Sequence, residues 1–152
     1  MQVQSEPIDI QSEQEALWRG NPGVGALVSF VGLMRDLNEG VAVQAMTLEH
    51  YPGMTERALA SIAEEAAARW NLQGLTLVHR VGPIAPQDPI VLVGVASAHR
   101  GEAFRACEFL IDYLKTRAPF WKKEITAAGA RGVAARDTDG EAAGRWRSDA
   151  EP

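Results

Sequence analysis

The chain holds 152 residues, 46% of them apolar and 23% charged, which suits one domain with its own core. A net charge of −5 argues against nucleic acid as the main partner, because nucleic-acid modules are basic overall. No apolar run approaches the roughly 20 residues that span a bilayer. The first residues have neither the basic start nor the apolar core of a signal peptide, and a single cysteine, Cys107, excludes an internal disulfide, so a cytoplasmic protein is expected.

The elements are read in chain order. Ser12-Glu-Gln-Glu15 fits a capping box and predicts a short helix to about Trp18. Residues 21–25 form a turn, and residues 26–31, rich in β-branched and aromatic side chains, a strand. A polar loop at 35–40 leads to a second strand over 41–51, which Pro52-Gly53 breaks. Residues 54–70 carry the clearest helical spacing, through Ala58, Leu59, Ile62, Ala66 and Trp70. A strand at 75–81, a proline-rich connection at 82–89 and a strongly apolar, central strand at 90–97 follow. The second long helix covers 101–117, its stripe made by Ala103, Phe104, Cys107, Leu110, Ile111 and Leu114, and Pro119 ends it. Two short strands, 121–126 and 132–136, close a domain of residues 1–136, and residues 137–152 read as a loose polar tail. Helices and strands interleave without a βαβ period, so the fold class is α+β: one domain with mixed sheets and two long helices.

From His99 to Lys123, six cationic side chains face three carboxylates, a net of +3 against −8 for the rest of the chain. A cationic island in an acidic background points to a small anion rather than a polyanion. Lys115, Lys122 and Lys123 lie either on a solvated face or in a pocket walled by Phe120 and Trp121, where neighbouring cations would lower an amine's pKa. His99 and Arg100 open the second long helix, so they are either surface and cap residues or an anion site built on helix N–H groups and a guanidinium. Lys115 lies 15 residues past Arg100, about 22 Å along one helix at roughly 1.5 Å per residue. Either the ligand is long or two copies of the chain share a site. Arg35 follows a strand end, where it is either a ligand contact or a surface arginine. Cys107 sits on the apolar stripe and reads as a buried structural thiol. His50, His79 and His99 lie on separate elements without metal-ligand spacing, so neither a metal site nor a resident cofactor is expected. Gly23-Val-Gly25 precedes a strand and is no dinucleotide fingerprint.

Phe30-Val-Gly32 with Arg35 and Asn38, Leu48-Glu-His-Tyr51 with Met54, His79-Arg-Val-Gly82, Ser97-Ala-His-Arg100 with Ala103-Phe104, Asp112-Tyr-Leu-Lys115 and Pro119-Phe-Trp-Lys-Lys-Glu124 occur in that order. This set resembles the large, catalytic subunit family of molybdopterin synthase over nearly the whole chain. The resemblance implies an α/β hammerhead fold with an α+β core. It also implies conversion of cyclic pyranopterin monophosphate to molybdopterin by installing a dithiolene. The sulfur would arrive as a thiocarboxylate on the C-terminal glycine of a small ubiquitin-like subunit, with a large-subunit homodimer at the centre of a heterotetramer.

By position, Lys115 matches the family's catalytic lysine and Lys122 its second essential lysine. Arg35, His99 and Arg100 match substrate-pocket positions, Lys123 and Glu124 extend the second lysine's motif, and Arg136 matches a further basic position. Two departures stand out. Met34 replaces a common Val, and Gly132 replaces a common Trp, removing a large anchor near the final strands. A binding module that has lost activity is the alternative, and joint retention of Lys115, Lys122, Arg35, His99 and Arg100 argues against it.

Overall fold

One strand, β7 (Pro89–Ser97), organises the molecule. Its sequence is apolar on both faces, and every residue from 90 to 97 is buried, as a strand covered on both sides requires. The computed structural model describes residues 1–38, 41–126, 129–133, 144 and 146. Before β7 come β1 (Gln2–Gln4), α1 (Ile10–Trp18), β2 (Ala26–Leu33), β3 (Leu37–Asn38), β4 (Val41–His50), α2 (Met54–Arg69), β5 (Leu72–Arg80) and β6 (Gly82–Ile84). After it come α3 (Arg100–Arg117), β8 (Phe120–Thr126) and β9 (Gly129–Val133).

The first sheet runs β1-β5-β7-β2, with β1 parallel to β5 and the other pairs antiparallel. The position of β7 between β5 and β2 matches the central strand expected from its composition. On one face α2 and α3 bury the main core, where Leu59, Ile62, Phe109 and Leu110 meet Leu77, Val91, Val93 and Val95. The opposite face is covered by α1, above a smaller cluster of Ile8, Val78 and Leu92. Close approach of α1 depends on Gly94: a Cβ there would lie 2.7 Å from Leu17 Cδ1. The second sheet runs β3-β4-β8-β9, with β6 paired to β4 beside this path. A third cluster, Met34, Met46, Leu48, Ile84 and Ile90, fills the junction. The result is the α+β domain expected from the sequence, with two packed sheets and the long helices α2 and α3.

Several boundaries differ from the sequence reading. The first helix is capped by Asp9 rather than Ser12; the Asp9 carboxylate accepts from the Ser12 N–H at 3.1 Å. The loop expected at 35–40 contains β3, and the proline-rich connection contains β6. Both are two- or three-residue strands that exist only because β4 pairs with them. β1 is equally short and equally dependent on β5. The last strand is Gly129–Val133 instead of 132–136, and residues 134–136 lie outside the described residues. Most of the expected loose tail also lies outside them, but Trp146 is 6% exposed and packed in the main core. Its ring meets Trp70 and Phe109 edge-on, and its Nε1 donates to Asp112 Oδ2 at 2.7 Å.

Candidate active site

Pro119 stops α3 and turns the chain directly into β8, so Lys115 in the helix's last turn and Lys122 in the strand are separated only by a corner. Thr55 pins that corner. It is fully buried, its hydroxyl accepts from the Tyr51 N–H at 3.2 Å, and it lies 3.5 Å from the Pro119 carbonyl. The end of β4, the start of α2 and the turn into β8 are thereby tied together. α2 begins there because Gly53, at φ +85°, reverses the chain; its N–H donates to the Glu56 carboxylate at 2.5 Å.

Alternation along β8 sorts its side chains. Phe120, Lys122, Glu124 and Thr126 turn inward, while Trp121 and Lys123 are exposed on the outer face. Lys122 and Glu124 pair across the ladder with Leu48 and Met46, which belong to the junction cluster. Glu124 is 4% exposed, a buried carboxylate two residues from Lys122 on its face. Lys123 therefore stands away from Lys122, beside Trp121, whose indole N–H donates to Glu49 and whose ring lies 5.0 Å from Tyr51.

Both lysines bear electrostatically on a residue that the sequence reading did not single out as a site. His79 is buried near the end of β5 and stacks on Phe120, ring centroids 3.7 Å apart and planes at 14°. Its Nδ1 lies 2.7 Å from the Arg80 carbonyl; a carbonyl only accepts, so Nδ1 carries the proton and donates. Burial first, then the charges of Lys115, Lys122 and His50, push its pKa from 6.5 down to about 3. The imidazole is thus neutral near pH 7, with both lysines close enough to act on one ring. The signal available in the sequence was parity: His79 falls on the Leu77 face of β5, which packs toward α2 and α3.

Arg35 follows Met34, which is buried against Met46 and Leu48, the cross-strand partners of Glu124 and Lys122. It is exposed at the end of the first sheet where Leu33 pairs with Pro89. His99, the N-cap of α3, and Arg100 are exposed at the opposite end of that sheet, beyond Ser97. Since α3 spans 18 residues, roughly 27 Å at about 1.5 Å per residue, one chain brings Lys115, Lys122 and Arg35 toward one end and leaves His99 and Arg100 at the other. Arg136 lies outside the described residues. Cys107 is buried, and desolvation raises its pKa to about 11, which keeps it a thiol.

Residues 3–117 match the family model described as MoaE protein. The chain is 57% identical over 146 residues to the molybdopterin synthase catalytic subunit of Ralstonia nicotianae, covering 96% of this chain and 83% of that one. Among solved structures, it resembles the molybdopterin biosynthesis MoaE protein from Burkholderia ambifaria, with a TM-score of 0.80 and 53% identity over 95% of each chain. It also resembles molybdopterin synthase from Staphylococcus aureus, with a TM-score of 0.81 and 36% identity over 87% of this chain and 95% of that one.

Proposed function

Because the chain belongs to the MoaE protein family, we propose that Lys115 and Lys122 carry the sulfur-transfer chemistry of a molybdopterin synthase catalytic subunit. The function of the chain is that of this subunit, a sulfurtransferase of molybdenum-cofactor biosynthesis. The observation that supports the two lysines is the corner at Pro119, which joins the last turn of α3, with Lys115, directly to β8, with Lys122 on its inward face.

The substrate in this reading is cyclic pyranopterin monophosphate, and the sulfur donor is the thiocarboxylated C-terminal glycine of a small ubiquitin-like subunit. Arg35 takes part in holding the anionic substrate, through the charge-assisted hydrogen bonds that a guanidinium makes to phosphate. His99 and Arg100 complete the anion site from a second copy of the chain, since their own Lys115 lies at the far end of α3. A homodimer with a small subunit at each end supplies both halves. Glu124, buried on the Lys122 face, orients that lysine, and Lys123 and Arg136 add positive charge for the anionic substrate. Once the thiocarboxylate sulfur is bonded to the pterin, water attacks the acyl carbon. An ammonium stabilises the oxyanion, and the neighbouring amine takes the proton of the water. The acyl C–S bond then breaks to leave the sulfur on the pterin and a carboxylate on the small subunit. In this reading the reaction runs in the cytoplasm. Among the described residues no helix is long and apolar enough to cross a membrane.

Product formation from the pterin substrate and thiocarboxylated small subunit tests this. Lys115→Ala is expected to lower the rate by about 10²-fold or more, the usual weight of positioned acid–base catalysis, while the small subunit still binds. Unchanged product formation overturns the role of Lys115.

A further inference from the structure

Arg35, which holds the anionic substrate in the reading above, stands between two strands, because the β2–β7 ladder ends where Leu33 meets Pro89 after a bulge and β3 begins only at Leu37. The residue before it is pinned instead. The Met34 N–H donates to the Asp88 carbonyl at 3.0 Å, and the Met34 carbonyl accepts from the Gln87 N–H at 2.8 Å. Both partners belong to one tight turn, Ala85-Pro86-Gln87-Asp88, closed by the Asp88 N–H on the Ala85 carbonyl at 3.1 Å. Gln87 sits at φ +75°, the left-handed third position of a type II turn, which glycine usually takes. A glutamine persists there only when its surroundings hold it. The Asp88 side chain supplies part of that hold. Its Oδ2 accepts from the Ala85 N–H at 3.0 Å and faces Arg80 Nη1 at 3.6 Å.

Arg80 is a costly choice for this place. It is 8% exposed, and a buried guanidinium is unfavourable unless its donors are used. Nη2 donates to the Ser5 carbonyl at 3.1 Å, Nη1 faces Asp88, and Nε has no hydrogen-bond partner among the described residues. A packed apolar side chain often serves stability as well as a buried ion pair does, so stability alone does not account for the arginine. We propose that Arg80 and Asp88 are positioning residues for Arg35: the ion pair holds the 85–88 turn, and the turn holds the backbone from which Arg35 departs. The inference rests on the substrate-holding reading of Arg35 and names what places it. A long side chain that must be ordered when the ligand arrives loses affinity to that ordering, and a backbone fixed in advance reduces the loss. The effect therefore falls on substrate affinity rather than on the lysine chemistry at the Pro119 corner.

The test is steady-state product formation in the assembled complex with thiocarboxylated small subunit. The Asp88 side chain is 43% exposed, so Asp88→Ala is expected to fold. Expected is a KM for the pterin substrate about tenfold higher with kcat within about twofold, the scale of one weakened charge-assisted hydrogen bond to substrate. Asp88→Asn keeps an acceptor for the Ala85 N–H and is expected to recover part of the loss. Arg80→Met, which keeps an unbranched apolar stem, should raise KM as Asp88→Ala does. In an Arg35→Ala background, Asp88→Ala should add nothing, because the guanidinium being placed is gone. A native KM in Asp88→Ala overturns the proposal. So does a loss confined to kcat, or an equal rise in KM with and without Arg35, which marks a merely structural turn. If Asp88→Ala does not fold, Arg80→Met is read by the same criteria. Arg35→Ala alone separates the two claims: an unchanged KM there sinks the substrate-holding reading of Arg35, whereas a raised KM there beside a native KM in Asp88→Ala sinks the positioning proposal only.

Discussion

His79 gives the site a pH signature of its own. The unfolded chain takes up a proton on this ring near its ordinary 6.5, the folded chain only near 3, so between those values the unfolded state holds more protons. The contribution to stability is complete above 6.5 and is lost as the pH falls toward 3. Thermal melts between pH 7 and 4.5 should therefore decline more steeply for the native chain than for His79→Phe; equal slopes would show that the ring is not held neutral. Cys107 makes the opposite case, a group that burial silences. Its thiol lies 3.8 Å from the Val93 carbonyl in the main core, so iodoacetamide at pH 8 should leave the folded protein unlabelled and label it only in denaturant. The sequence reading of Cys107 as a structural thiol followed from its place on a helical stripe. His79 stood in the same sequence as part of a motif, but its burial depends on Phe120, 41 positions later, and spacing alone does not report such a contact.

At the scale of elements, what the sequence shows best is whatever is locally encoded. The two long helices, the central apolar strand and the stop at Pro119 follow from periodicity and ring chemistry, and they set the corner between Lys115 and Lys122. What it hides are the short strands β1, β3 and β6, which borrow their order from a partner strand. Trp146 is hidden for a related reason: a lone aromatic in a polar stretch carries no period, yet it closes an aromatic cluster with Trp70 and Phe109 and accepts from Arg69 Nη2 through its carbonyl at 3.2 Å. Trp146→Ala should cost about 3 kcal/mol in urea unfolding, the usual scale for emptying a buried aromatic site; a loss below about 0.5 kcal/mol would mean that the ring does not hold this segment. Gly132, on the outer face of β9 opposite Lys123, has open space around a would-be Cβ. Gly132→Trp should fold and melt no lower than the native chain, because a strand interior gains about 0.5–1 kcal/mol on losing a glycine. A clear drop in melting temperature would show that the space is filled.

Across the whole molecule, the cationic groups divide between two ends of one α/β body. Lys115, Lys122 and Arg35 lie toward the Pro89 end of the first sheet, and His99 and Arg100 beyond its Ser97 end. The sequence already contained this tension in the length of α3, and the fold keeps it, since a straight helix packed along β7 cannot bring its ends together. A site that needs both groups has to be completed by a second copy related by symmetry. The most direct measurement is complementation between two inactive variants. Arg100→Ala and Lys115→Ala proteins are mixed under conditions where subunits exchange, and product formation is followed with thiocarboxylated small subunit. Half of the dimers then pair one variant with the other, and each of these carries one intact site, so activity should return to about a quarter of the native value. Verified exchange without any return of activity would contradict the account.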